Sequence, residues 1–212
     1  MAADLFVTGT DTNVGKTVLS ALLVAALDAT YWKPIQTGSS EGTDRQTVMR
    51  WAELPEERAA RECYCFEPPV SPHLAAEASG VTIRLERICR PSVAIAANRP
   101  LIAEGAGGVL VPINDSQTML DLMRHLAMPV VVASRSALGT INHTLLTVKA
   151  LRDAGVEIRG VVMIGKENRD NERAVERYGA VPIAGRIPLL ETIDRSALLR
   201  TFRDNFEAQH FQ

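Results

Sequence analysis

The sequence predicts an α/β fold: a doubly wound, mainly parallel sheet flanked by helices on both faces. Three observations predict it. Strand-length apolar runs alternate with helix-length segments along all 212 residues. The strand candidates are continuously apolar rather than alternating, which implies burial on both faces. A glycine-rich stretch joins the first strand to the first helix, the context in which phosphate-binding loops occur.

The elements follow in order. "DLFVTG" (4–9) is a buried strand ending on glycine, and "KTVLSALLVAALD" (16–28) is a helix apolar on nearly every face, hence covered on both sides. "ATYWKP" (29–34) is a second strand, stopped by Pro34. The polar, glycine-rich residues 35–45 form a loop, and 44–62 reads as helical. "FEPPVSPHL" (66–74), with three prolines, is expected to lack regular structure. A helical stretch covers 84–97, with Pro91 starting a turn or kinking it. "RPLIAEGAGG" (99–108) is a buried strand running into glycines, 118–127 is a helix, and 128–134 is a valine-rich strand. Helix 141–155 ends at Gly155, strand 157–165 follows, helix 171–179 ends at Gly179, and strand 181–188 and helix 194–207 close the chain. With no repeat, low-complexity tract or long linker, residues 1–212 read as a single domain.

Composition narrows the function. A formal charge of −2, with both signs spread along the chain, gives no footprint for nucleic acid or an anionic membrane. No 18-residue apolar stretch and no secretory leader pattern appear, so a cytoplasmic location is expected. Three cysteines, Cys63, Cys65 and Cys89, are an odd number without a disulfide framework, which fits a reducing compartment. Cys63-Tyr64-Cys65 has the wrong spacing for a C-x-x-C site and reads as two buried or half-buried thiols.

"GTDTNVGKT" (9–17) carries the chemistry. It ends as a P-loop does, yet the first glycine falls one residue early, at Gly9, with Thr10 where G-x-x-x-x-G-K-[ST] wants glycine. Backbone N–H groups at a helix start converge on phosphates, and Asn13, Val14, Gly15, Lys16, Thr17 and Val18 form the nucleotide-binding set. Lys16 supplies a point charge, and the Thr17 hydroxyl can ligate Mg²⁺. The lengthened loop projects Thr12 and Asn13 toward the phosphates, where they can touch a second substrate.

Three further stretches point to the same crevice. "WKPIQTG" (32–38) places Lys33 beyond the carboxyl end of a strand, where open α/β sheets bind ligands. "LIAEGAGG" (101–108) places Glu104 at the end of a buried strand as a Mg²⁺ ligand, followed by a tight turn of small residues. Asp44 is one of several loop aspartates that can join that metal. "ALGTINH" (137–143) opens a strong helix, and two readings stay open. The free N–H groups after Gly139, with Asn142, trap a carboxylate, or Thr140 or Asn142 simply caps the helix.

Taken together, "GTDTNVGKT", "WKPIQTG", "EGAGG", "LGTINH" and "EPPVSPH" resemble the dethiobiotin synthetase family, in the family's order and over nearly the whole chain. The resemblance implies an ATP- and Mg²⁺-dependent ligase that joins 7,8-diaminopelargonate and CO₂ into dethiobiotin through a carbamate and a carbamic–phosphoric anhydride. It implies catalytic roles for Lys16, Lys33 and Thr12, and Mg²⁺ on Thr17, Asp44 and Glu104. Thr12 and Thr37 would hydrogen-bond the carbamate or phosphates. It also implies a homodimer in which Gly139, Thr140 and Asn142 of one chain hold the substrate carboxylate of the other. Pro188 and Leu189 would line the base. One departure stands out: where the family has a base-reading asparagine, "GVVMIG" offers Ile164 or Gly165, so relaxed base selectivity is expected unless Asn168 compensates. Switch ATPases carry an extra lysine early in this loop, which Gly9–Thr10–Asp11 lacks, and amidoligases of the corrinoid type need a glutaminase domain that 212 residues cannot hold. His73 reads as structural.

Overall fold

The computed structural model describes residues 3–92 and 98–211. Seven parallel strands form the main sheet in the order β4 (Ala59–Ala60), β2 (Thr30–Trp32), β6 (Leu101–Gly108), β1 (Leu5–Gly9), β7 (Val130–Arg135), β8 (Ile158–Ile164), β9 (Ile183–Ile187). The chain winds from β1 toward β2 on one side, then crosses back and builds β7, β8 and β9 on the other. β1 therefore lies at the switch in winding direction, where ligands bind beyond the carboxyl ends of the strands.

Seven α-helices cover the sheet among the described residues: α1 (Lys16–Ala26), α2 (Asp44–Ala52), α3 (Pro72–Ala78), α4 (Met119–Leu126), α5 (Thr140–Asp153), α6 (Arg169–Gly179) and α7 (Arg195–Asn205). Strand residues alternate between two cores. Leu5, Val7, Tyr31, Ile102, Val131 and Val162 pack with α1, α2 and α7. Phe6, Trp32, Leu101, Ala103, Val130, Val132 and Met163 pack with α4, α5 and α6. Because both faces need apolar side chains, the long strands run apolar through consecutive residues, which makes them readable as buried parallel strands. α1 lies between α2 and α7, which explains its nearly all-round apolar surface.

Several expectations are corrected. The helix expected over 44–62 stops at Ala52: Glu53 takes a left-handed φ of 49° and Pro55 follows, leaving a short 3₁₀ turn and then β4. The proline-rich stretch does hold a helix, because Pro72 sits at the first helical position, where its missing N–H is harmless. Of the helix expected over 84–97, residues 85–87 form a 3₁₀ turn, and 93–97 lie outside the described residues. Glu104 does not end its strand. β6 continues through Gly108, and the turn follows at Val109–Leu110, folding Val111 back against Gly107, whose φ of 69° leaves no room for a Cβ.

The cysteines are exposed rather than buried. Tyr64 and Phe66 stack with ring centroids 6.2 Å apart, and the two-residue period then sends Cys63 and Cys65 to solvent. Tyr64–Cys65 is itself a strand, β5, paired in parallel with β3 (Ile35–Gln36) in a small second sheet.

Candidate functional site

The P-loop leaves β1 and turns into α1. Thr10 N–H donates to the Ala133 carbonyl at 3.0 Å, which fastens the loop to β7. Asn13 and Gly15 take left-handed backbone angles, φ 57° and 99°. Gly15 is the N-cap of α1, with no side-chain cap and no acidic residue in the first turn, so the first N–H groups face the crevice unshielded. Thr12 and Asn13 lie exposed at the rim; Val14 is buried, and Val18 is partly buried on α1.

Lys16 is buried, and its Nζ donates to the Asp11 carbonyl at 2.8 Å. Burial pushes its pKa down to about 8, only partly offset by Glu104 and Asp44 and deepened by Lys33. A lysine short of hydration beside a loop of free N–H groups is poised for polyanions.

Lys33 follows β2 directly and is buried with its ammonium between two carboxylates. It bonds Asp44 and lies 3.1 Å from Glu104 Oε1. Burial alone would lower its pKa; Glu104 and then Asp44 outweigh that and raise it. Burial likewise favours neutral Asp44, yet Lys33 and the Thr17 hydroxyl hold its pKa below the ordinary range. Thr17 Oγ1 is 3.0 Å from Asp44 Oδ1 and 3.3 Å from Glu104 Oε1. Three hard oxygen donors from α1, α2 and β6 thus converge on one spot, already electrostatically matched to a cation. That is the donor chemistry Mg²⁺ takes.

Four neighbours that sequence reasoning did not single out hold this cluster. Tyr31 donates its buried hydroxyl to Glu104 Oε2 at 3.0 Å, and burial together with Glu104 keeps that phenol protonated, its pKa well above the usual value. Gln36 accepts from Asp44 N–H at 3.0 Å and donates to the Thr37 carbonyl at 2.7 Å, so it ties Thr37 to the start of α2. The Asp11 carboxylate takes Thr12 N–H at 2.7 Å and the Arg135 guanidinium at 2.7 Å. Gln36 and Asp11 sit inside quoted motifs; nothing in the sequence marked Tyr31 or Arg135.

The other expected residues group at the same end of the sheet. Gly165 N–H donates to the Ile187 carbonyl at 2.9 Å, which sets Gly165 beside exposed Pro188 and Leu189. Ile164 packs beneath Gly15, so its side chain is spent on the loop. Asn168 Oδ1 accepts from Asn171 N–H and caps α6. At α5 the N-cap is Gly139, φ 92°, with no side-chain cap. Capping by Thr140 or Asn142 is therefore ruled out: Asn142 is exposed, while Thr140 Oγ1 turns inward to Ser134 Oγ at 2.8 Å. His143 is exposed; His73 is partly buried, with its Nδ1 lacking a partner.

With that geometry in hand, comparison with known proteins decides the family. The AAA_26 family, described as an AAA domain, matches residues 3–197. The ATP-dependent dethiobiotin synthetase of Nitrobacter hamburgensis is 48% identical over 100% of this chain and 98% of its own. This chain belongs to the dethiobiotin synthetase family. The Rhodopseudomonas palustris (strain HaA2) and Brucella ovis synthetases are 46% and 43% identical, again over all of this chain and 97% and 98% of theirs. Among solved structures, a ParA family ATPase from Chlorobium tepidum superposes with a TM-score of 0.58 at 14% identity, covering 94% of this chain and 90% of its own. The MinC:MinD complex of Aquifex aeolicus gives 0.56 at 11%, covering 94% and 86%. These likenesses establish the P-loop fold alone.

Proposed function

We infer that this chain is an ATP-dependent dethiobiotin synthetase: it joins 7,8-diaminopelargonate and CO₂ at the expense of ATP, giving dethiobiotin, ADP and phosphate. Full-length similarity to that family supports the reading. The observation that carries it to this chain is the convergence of Lys16, Thr17, Lys33 and Asp44, beyond the ends of β1 and β2, on Glu104 within β6.

One substrate amine adds to CO₂ and loses a proton, forming a carbamate. A carbamate oxygen then attacks the γ-phosphorus, and the bond to the β-phosphate bridging oxygen breaks, releasing ADP. The second amine attacks the carbamate carbon, phosphate leaves with the C–O electron pair, and the ureido ring closes. Lys16 and Lys33 neutralise charge on the γ-phosphate and carbamate. Thr12 and Thr37 orient those oxygens, and Asn13 to Val18 wrap the phosphates. Thr17, Asp44 and Glu104 fit Mg²⁺, which when bound supplies further charge neutralisation on the phosphates. Gly165, Pro188 and Leu189 flank the base.

A second copy of the chain would complete the site. Leu138, Leu146 and Leu110 are exposed apolar side chains, the first just before the N-cap of α5 and the second two turns into that helix. A homodimer would bury them and bring Gly139, Thr140 and Asn142 of one subunit to the substrate carboxylate held by the other. Leu138→Asp should shift the light-scattering mass toward the monomer; an unchanged dimer would refute that interface. In this reading residues 1–212 act as one domain in the cytoplasm. No helix among the described residues is long and apolar enough to cross a membrane.

The deciding experiment mixes the protein with 7,8-diaminopelargonate, bicarbonate, Mg²⁺ and ATP, and follows phosphate and dethiobiotin together. One dethiobiotin per phosphate, with release requiring both diamine and bicarbonate, is expected. Phosphate release indifferent to the diamine would overturn the assignment and leave only a nucleotide hydrolase.

A further inference from the structure

Glu104 presents its two oxygens to different partners. Oε1 faces Lys33 at 3.1 Å and Thr17 at 3.3 Å; Oε2 accepts the Tyr31 hydroxyl at 3.0 Å. Tyr31 and Glu104 are both almost wholly buried, at 0% and 1% exposure, so neither reaches water as an alternative partner. The contact follows from register. Tyr31 pairs with Ile102 across β2 and β6, and Glu104 lies two residues further along the same face. The ring is packed among the residues of the α1–α2 core and cannot withdraw.

We propose that Tyr31 is a specificity-determining positioning residue that holds Glu104 as a one-oxygen ligand and so tunes the cation site toward Mg²⁺ and against Ca²⁺. A carboxylate can bind a cation through one oxygen or clasp it with both. Mg²⁺ demands near-octahedral geometry at about 2.0–2.1 Å, whereas Ca²⁺ accepts longer bonds and bidentate carboxylates. With Oε2 drawn toward the phenol in the sheet core, only Oε1 faces Thr17 and Lys33, the two groups that also bond Asp44. The proposal rests on the reading of Thr17, Asp44 and Glu104 as the cation site, and its test separates the two.

Tyr31→Phe removes one oxygen and leaves the ring to fill its place. Bound Mn²⁺ is followed by electron paramagnetic resonance, with a non-hydrolysable ATP analogue present, and is displaced by Mg²⁺ or Ca²⁺. In the wild type Mg²⁺ should displace Mn²⁺ better than Ca²⁺ does. In Tyr31→Phe the Ca²⁺-to-Mg²⁺ competition ratio should rise by about tenfold, the order of one hydrogen bond to a charged group. In a Glu104→Gln background, Tyr31→Phe should leave the ratio unmoved, because the constrained carboxylate is gone. An unchanged ratio in folded Tyr31→Phe, with Glu104→Gln still weakening Mn²⁺ binding, would overturn the role of Tyr31 alone. Mn²⁺ binding indifferent to Glu104→Gln would overturn the cation site, and this proposal with it.

Discussion

Replacing Lys33 with Met should expose what the lysine does before any substrate arrives. Methionine keeps much of the volume and removes the charge. Two carboxylates would then face each other: Glu104, whose side chain is 0% exposed, and Asp44, 28% exposed. Removing one partner of a buried ion pair costs about 3–5 kcal/mol, because the other charge stays buried and uncompensated. The low end applies here. Glu104 keeps its Tyr31 and Thr17 hydrogen bonds, and Asp44 retains some water. A loss of about 3 kcal/mol lowers the melting temperature by about 6–12 °C in a chain of this size.

The same arithmetic predicts rescue. A cation at one hundred times its dissociation constant stabilises by about 2.7 kcal/mol, nearly the whole deficit. Thermal melts of wild type and Lys33→Met, with and without saturating Mg²⁺, test this. The variant should gain most of its missing stability from Mg²⁺. The wild type should gain less, since Lys33 already neutralises the pair. Turnover should stay at least about a hundredfold down in either condition, because in the proposed mechanism the lysine also acts at the transferring phosphate. A variant that melts with the wild type in the absence of Mg²⁺, or an equal Mg²⁺ effect on both, would refute the reasoning.

Four further outcomes are expected. With Lys16 lowered by burial to about 8, affinity for a fluorescent ATP analogue should fall as pH rises from 7 to 9, while Lys16→Arg should stay flat over that range. Global stability should move the other way: between about 8 and the ordinary lysine value of 10.5 the unfolded chain holds a proton the folded chain has released, so stability rises with pH, as denaturant melts at pH 8 and 10 can check. Gly15→Ala should lose nucleotide binding in calorimetry and cost at least about 1 kcal/mol, since its Cβ would stand 2.8 Å from Ile164 Cδ1 at a φ of 99°; normal binding by the alanine variant would contradict this loop geometry. With Ile164 packed under the loop and Asn168 Oδ1 spent on a cap, turnover with CTP and GTP should lie within about tenfold of ATP, and a strong preference for ATP would mean that backbone groups read the base.

What could be read from the sequence depended on how local its cause was. Gly15-Lys16-Thr17 declares itself because a phosphate loop needs small residues, a positive charge and a hydroxyl within a few positions of one another. The long strands declared themselves because burial on both faces makes consecutive residues apolar, as in Leu5–Val7 and Val130–Ala133. β3, β4 and β5 have two residues each, too few for any period, and the helix expected over 44–62 concealed β4 because Glu53 enters the left-handed region without being glycine.

The supporting residues of the site have causes that are not local at all. Tyr31 looks like one more aromatic in a strand until β2 meets β6 across about seventy residues of chain and the register sets it beside Glu104. Arg135 looks like a surface arginine until β7 lies against β1 and brings it to Asp11. Residues that touch a ligand must carry distinctive chemistry and are visible in one dimension. Residues that hold them carry ordinary chemistry in a particular place, and place exists only after the sheet has formed. Substitutions that retune this enzyme without abolishing it should therefore gather at positions such as Tyr31, Gln36 and Arg135, whose side chains reach the motifs from outside or fasten one motif to another.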